Sequence, residues 1–159
     1  MTQPQNDSSP MERQGELLQD LARVMLTSVD LTEQWQQLTV AFIPDGEAWA
    51  GRIVVTDADG SSSGGDARFG TDSQVSLLLD ALQQAAADQR QPFVSLRLDA
   101  ERTGEDRSRI ALGSKLNYDT DPGSFDGLGG VDEQVARRMA ERFGGDRLPV
   151  WVQEKLPRP

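Results

Sequence analysis

The stretch RIALGSKLNYDTDP, residues 109–122, decides how the chain is interpreted. Its large apolar and aromatic residues fall on one parity of the numbering: Ile110, Leu112, Leu116 and Tyr118. A period of two predicts a β-strand with one buried face. The strand runs into a glycine-rich, acidic loop at residues 119–130. Strands that end in a polar loop commonly present binding surfaces, so this stretch also predicts a binding surface.

Apolar spacing outside this stretch predicts helices and further strands. Residues 12–28 and 75–86 carry apolar side chains at helical spacing, so Leu79 and Leu82 should be core residues. Alternation in residues 38–42, 49–56 and 94–98 predicts three more strands.

Residue types at the helix ends support the helical assignments. Thr71 with Gln74 fits a capping box before the middle helix. Asp132 fits the N-cap of a third helix, and Gly144 fits its C-terminal end.

The order α-β-β-α-β-β-α predicts an α+β fold. We expect an antiparallel four-stranded sheet of two hairpins, with the helices packed on it. Residues 57–70, DADGSSSGGDARFG, are rich in Gly and Ser and are interpreted as a flexible, solvated loop. We expect residues 1–11 to be disordered and residues 12–156 to form one domain.

The composition excludes several kinds of enzyme. The chain has no cysteine and no histidine, so zinc sites built from Cys and His, and Ser-His or Cys-His nucleophiles, are impossible. Neither glycine-rich segment is followed by the Lys-Ser/Thr pair of a phosphate-binding loop. We therefore expect a non-enzymatic protein with no cofactor and no bound metal.

The charge balance indicates the kind of partner. The chain has 16 basic and 26 acidic residues and a net charge of −10. It is repelled by phosphate backbones and anionic lipids, so we expect neither nucleic acid nor a membrane as partner. A basic protein fits best, although an acidic surface can also serve only solubility. The polar N-terminus is not a signal peptide, and we expect a cytoplasmic protein.

The acidic residues gather around the only tyrosine. Residues 116–136 contain five acids and no Lys or Arg. An aromatic side chain within a negative field is a suitable anchor for a basic partner. We predict that the partner-binding residues are Tyr118, Asp119, Asp121 and Asp126. Alternatively, Tyr118 is a core residue at the strand end and the acids cap a helix.

The layout resembles the YezG-like antitoxin or immunity proteins. The resemblance covers residues 16–156 and rests on GELLQDLARVM, on EQWQQLTVAF with its Trp before the first strand, on FVSLRLD, and on RIALGSKLNYDTDP with its Asn117-Tyr118-Asp119. The chain departs from the family pattern in the Gly/Ser segment at residues 61–65 and in lacking a Trp in the last helix. The resemblance implies a bacterial intracellular protein that binds and neutralises a cognate toxin, often a nuclease.

A second interpretation belongs to another class of protein. Secretion chaperones and adaptors are also small, acidic α+β proteins, and they hold a segment of an effector for export. The sequence leaves open which of the two classes applies, and whether the protein is a monomer or a dimer.

Overall fold

The computed structural model describes residues 9–157, and over these residues the fold is α+β with one antiparallel sheet. The helices are α1 (Pro10–Ser28), α2 (Gln74–Gln89), α3 (Glu133–Phe143) and the short α4 (Val150–Gln153), with a 3-10 turn at Gly145–Arg147. The strands are β1 (Trp35–Asp45), β2 (Ala48–Asp57), β3 (Ser62–Phe69), β4 (Ser95–Thr103) and β5 (Arg109–Asn117). The order across the sheet is β3-β2-β1-β4-β5. All four strand pairings are antiparallel.

The α+β class is confirmed, but the predicted four strands and their order are wrong. The segment interpreted as a flexible loop contains β3, which pairs with β2 along its whole length. At Gly64 the two strands lie so close that a Cβ atom would overlap the carbonyl oxygen of Ile53. The glycine that suggested a linker therefore permits a close approach of two backbones.

The main core lies between one face of the sheet and helices α1 and α2. The predicted helical stripes are confirmed, since Leu79 and Leu82 are fully buried. The alternation of β1 is confirmed as well. From α1 and β1 the core receives Leu17, Leu21, Met25, Leu38, Val40 and Phe42.

The helix ends are partly as predicted. α2 begins at Gln74 with Ser73 as its N-cap, because the Ser73 hydroxyl accepts a hydrogen bond from the Ser76 N–H at 3.2 Å. The predicted cap at Thr71 is wrong, and Thr71 lies in the preceding turn. The N-cap at Asp132 is confirmed by the hydrogen bond from the Val135 N–H at 2.9 Å. Gly144 ends α3 with a φ of +90°.

A half-buried polar network joins β2, α2 and α3. The Trp49 indole N–H donates to Asp80 Oδ1 at 3.0 Å. Arg138 and Arg142 of α3 approach the same carboxylate at 3.5 and 3.6 Å. Arg142 also donates to the side-chain oxygen of Gln83 at 2.7 Å. The network connects α3 to α2. The buried apolar side chains of α3 pack in a second hydrophobic cluster beside this network.

Helix α1 includes residues 10 and 11, which were predicted to be disordered. The expected disorder of residues 1–8 lies outside the described residues, and α1 starts at Pro10, two residues before the predicted start of the domain. Within residues 9–157, every helix is too short or too polar to cross a membrane.

Candidate protein-binding surfaces

Tyr118 lies directly after β5 and is half-buried against the main core. Its burial raises the pKa of the phenol above the ordinary value. The Tyr118 carbonyl accepts a hydrogen bond from the indole N–H of Trp151 at 3.2 Å. The ring is thus supported by the core, and its backbone is tied to the C-terminal segment.

The acidic loop, residues 119–130, is anchored on the face of the sheet opposite the helices. Phe125 is buried with Ile43 and Ala50. The Gly130 N–H donates to the Pro44 carbonyl at 2.7 Å. Gly129 has a φ of +76°, and a Cβ there would collide with the Ile43 side chain. The glycines therefore let the loop pack closely on β1, rather than leaving it free to adapt as its composition suggests.

Two of the predicted acids have basic partners. Asp121 accepts hydrogen bonds from Lys155 Nζ at 2.8 Å and from the Gly123 N–H at 3.0 Å, and both lower its pKa. Asp126 lies 3.7 Å from Arg52, with its side chain 90% exposed. Residues 116–136 contain no Lys or Arg, but Lys155 and Arg52 reach these two acids from distant parts of the sequence.

The shortest contacts of Arg52 are with Asp66 and the Phe125 ring, not with Asp126. It donates to both carboxylate oxygens of Asp66, at 2.9 and 3.2 Å, and its guanidinium carbon lies 4.6 Å from the centre of the Phe125 ring. Asp126 is therefore only loosely paired. Asp119 is exposed and forms no ion pair within the described chain.

The four predicted residues do not form one cluster. Tyr118, Asp119 and Asp121 adjoin the C-terminal segment, whereas Asp126 lies over β2 beside Arg52. The topology brings two further exposed acids to the same end of the sheet. They are Glu47 in the β1–β2 turn and Asp72 after β3. Sequence reasoning missed them because they are far from residue 118 along the chain.

The contact between Asp121 and Lys155 predicts a pH-dependent C-terminal segment. Because the folded-state pKa of Asp121 is lowered, its stabilising effect is present above the ordinary pKa of 3.8 and is lost as the pH falls through the folded value. We expect the NMR signal of the Trp151 indole N–H to shift in this acid range. In Asp121→Asn that transition should be absent. Identical pH profiles in both proteins would contradict the assignment.

The second candidate surface is the outer edge of the sheet at β5. The sequence predicted a buried face for this strand, but the whole strand is exposed or half-exposed. Ile110 and Leu112 are each 46% exposed, whereas Leu116 packs partly on the core. The expectation of a buried face is therefore wrong for the first half of β5, because α1 lies mainly against α2 and leaves this edge uncovered.

Within residues 9–157, no three acidic side chains come close enough together to hold a metal ion. Comparison of the sequence with models of known protein families and with curated proteins finds no match in either set.

Proposed function

We propose that this protein is a non-enzymatic antitoxin, an immunity protein that binds a cognate basic toxin, of the nuclease type, and neutralises it. The proposal draws on the resemblance of its layout to the YezG-like proteins and on its net charge of −10. The observation that carries it is the acidic end of the sheet, formed by the exposed side chains of Asp119, Glu47 and Asp72. Asp126 adds a further exposed and only loosely paired acid over β2. A basic active site that binds phosphate would be covered well by such a surface.

The direct test is co-expression with a basic toxin encoded beside this gene. We expect cells that express both proteins to survive and cells that express the toxin alone to die. Equal killing in both cases would contradict the proposal.

Purified proteins give a sharper test of the acidic surface. Asp119→Lys combined with Asp126→Asn should slow toxin association about threefold to tenfold at low salt and reduce its salt sensitivity, because rim charges act mainly on the association rate. Asn is chosen at position 126 because the backbone there is left-handed, with a φ of +32°. The measurement is a salt series of association rates.

A matched control lies at the opposite end of the sheet. Glu105→Lys combined with Asp30→Asn makes the same change in net charge at exposed positions. This variant should keep most of the wild-type association rate. An equal loss in both variants would mean that net charge, and not the acidic surface, controls binding.

A second candidate function is an adaptor or secretion chaperone that holds a segment of an effector. The exposed apolar side chains of β5, Ile110 and Leu112, favour this second function, because such proteins bind extended segments through apolar contacts. If the protein has this role, we expect it to keep an otherwise aggregating effector soluble without changing the effector's activity. An antitoxin would instead abolish that activity.

A further inference from the structure

The edge strand β5 has a free side. It pairs only with β4, so the other side of its backbone meets no strand of the described chain. An exposed edge of this kind can pair with an extended segment of another protein. The opposite edge, β3, is built from Ser, Gly, Asp and Ala over most of its length and offers no comparable row of apolar side chains.

A groove beside β5 continues its apolar face. Two adjoining hollows of about 320 and 190 Å³ lie between β5 and α1, and both are lined by Leu112. Helix α1 contributes Leu26 to one hollow and Leu18 to the other. A strand added beside β5 would direct every second side chain toward this groove.

The other face of β5 is positively charged at its C-terminal half. Lys115 lies directly opposite Arg97 of β4 in the sheet register. Arg97 is paired with Asp99 at 3.1 Å, whereas Lys115 has no ion pair among residues 9–157. β5 itself contains no acidic residue. An added strand would therefore meet a cation on this face that lacks a counter-charge.

We propose that β5 accepts an extended segment of another protein as a sixth strand, and that this segment alternates apolar and acidic residues. Its apolar side chains enter the groove beside Ile110 and Leu112, and an acidic side chain lies opposite Lys115. Opposite charges on directly facing strand positions stabilise the pairing, and like charges weaken it. The surface is distinct from the acidic end of the sheet and does not depend on the antitoxin proposal.

A second copy of the chain is a poorer occupant. Antiparallel pairing of two β5 strands doubles Arg109 and Lys115 on one narrow face and adds no acid. Charge complementarity therefore favours an acidic segment over a homodimer.

The test uses labelled peptides and the full chain. A fluorescein-labelled, C-amidated nine-residue peptide, the length of β5, alternates Val with Glu. A second peptide alternates Val with Lys, and a third contains the residues of the first with the Val residues grouped together. By fluorescence polarisation we expect saturable binding of the first peptide and weaker binding of the other two, by about threefold to tenfold.

Three variants make the test specific. Lys115→Glu should reverse the preference, so that the Lys peptide binds more tightly than the Glu peptide; because binding is retained, a failure to fold cannot explain this result. Leu112→Glu should weaken binding of the Glu peptide about tenfold. Leu77→Glu, the same kind of change at a 57% exposed leucine of α2, should leave binding unchanged.

Several outcomes would overturn the proposal. They are no saturable binding, equal binding of the grouped peptide, no reversal in Lys115→Glu, or an equal loss in Leu77→Glu. Sedimentation measurements distinguish peptide binding at β5 from dimerisation through β5. A dimer that Leu112→Glu dissociates, and that the Glu peptide does not, would mean that a second copy occupies β5.

Discussion

Replacing Leu79 with Ala should lower the free energy of unfolding by about 2–5 kcal/mol. Leu79 is 0% exposed and lies in the main core between α2, α1 and the sheet. The substitution removes three buried carbon atoms and leaves a cavity that the close-packed surroundings fill only in part. Urea denaturation followed by circular dichroism measures the loss.

The matched control is Leu77→Ala in the same helix. Leu77 is 57% exposed, so the same substitution removes little buried surface. We expect a change within about 0.5 kcal/mol. If Leu79→Ala costs less than ~1 kcal/mol, the inward face of α2 is assigned wrongly.

Replacing Asp80 with Ala should destabilise the protein by about 2–4 kcal/mol, although Asp80 lies outside the apolar core. The carboxylate accepts from the Trp49 indole and faces Arg138 and Arg142. Burial lowers the pKa of Arg142, while the charge of Asp80 acts in the opposite direction. Without Asp80, the buried indole N–H of Trp49 loses its acceptor, and the partly buried Arg142 loses its counter-charge although it keeps the hydrogen bond to Gln83; both losses are costly.

Two further variants separate the network from a general effect of α2. Asp80→Asn keeps an acceptor for Trp49 and should recover part of the loss. Asp88→Ala removes an exposed carboxylate whose side-chain partner is Gln84, and should change the stability by less than about 0.5 kcal/mol. Similar losses for Asp80→Ala and Asp88→Ala would show that the network contributes nothing of its own.

The elements with strong apolar periodicity could be predicted from the sequence. The stripes of α1 and α2, and the alternation of β1, bury the expected side chains because a helical or strand period leaves one face for the core. β3 could not be predicted, since its Gly and Ser residues carry no such pattern. They are required by the approach of its backbone to Ile53, a contact that exists only after the sheet has formed.

The candidate surfaces could also be predicted only in part from the sequence. The sequence correctly indicated the exposed acids after β5, but it could not show that Lys155 binds Asp121 across 34 residues. It also assigned a buried face to Ile110 and Leu112, since alternation does not distinguish a covered strand from an edge strand. Charge neutralisation and edge position both depend on tertiary neighbours.

The position of β1 at the centre of the sheet has a consequence for the rate of folding. β1, β2 and β3 form a local meander, but β1 must also pair with β4, and Thr39 and Asp99 in that pairing are 60 residues apart. Closing so long a loop costs chain entropy before its contacts are gained. Joining the two halves of the sheet should therefore limit refolding. In a pulsed hydrogen-exchange experiment, the amides bonded between β1 and β2 should become protected before the amides bonded between β1 and β4.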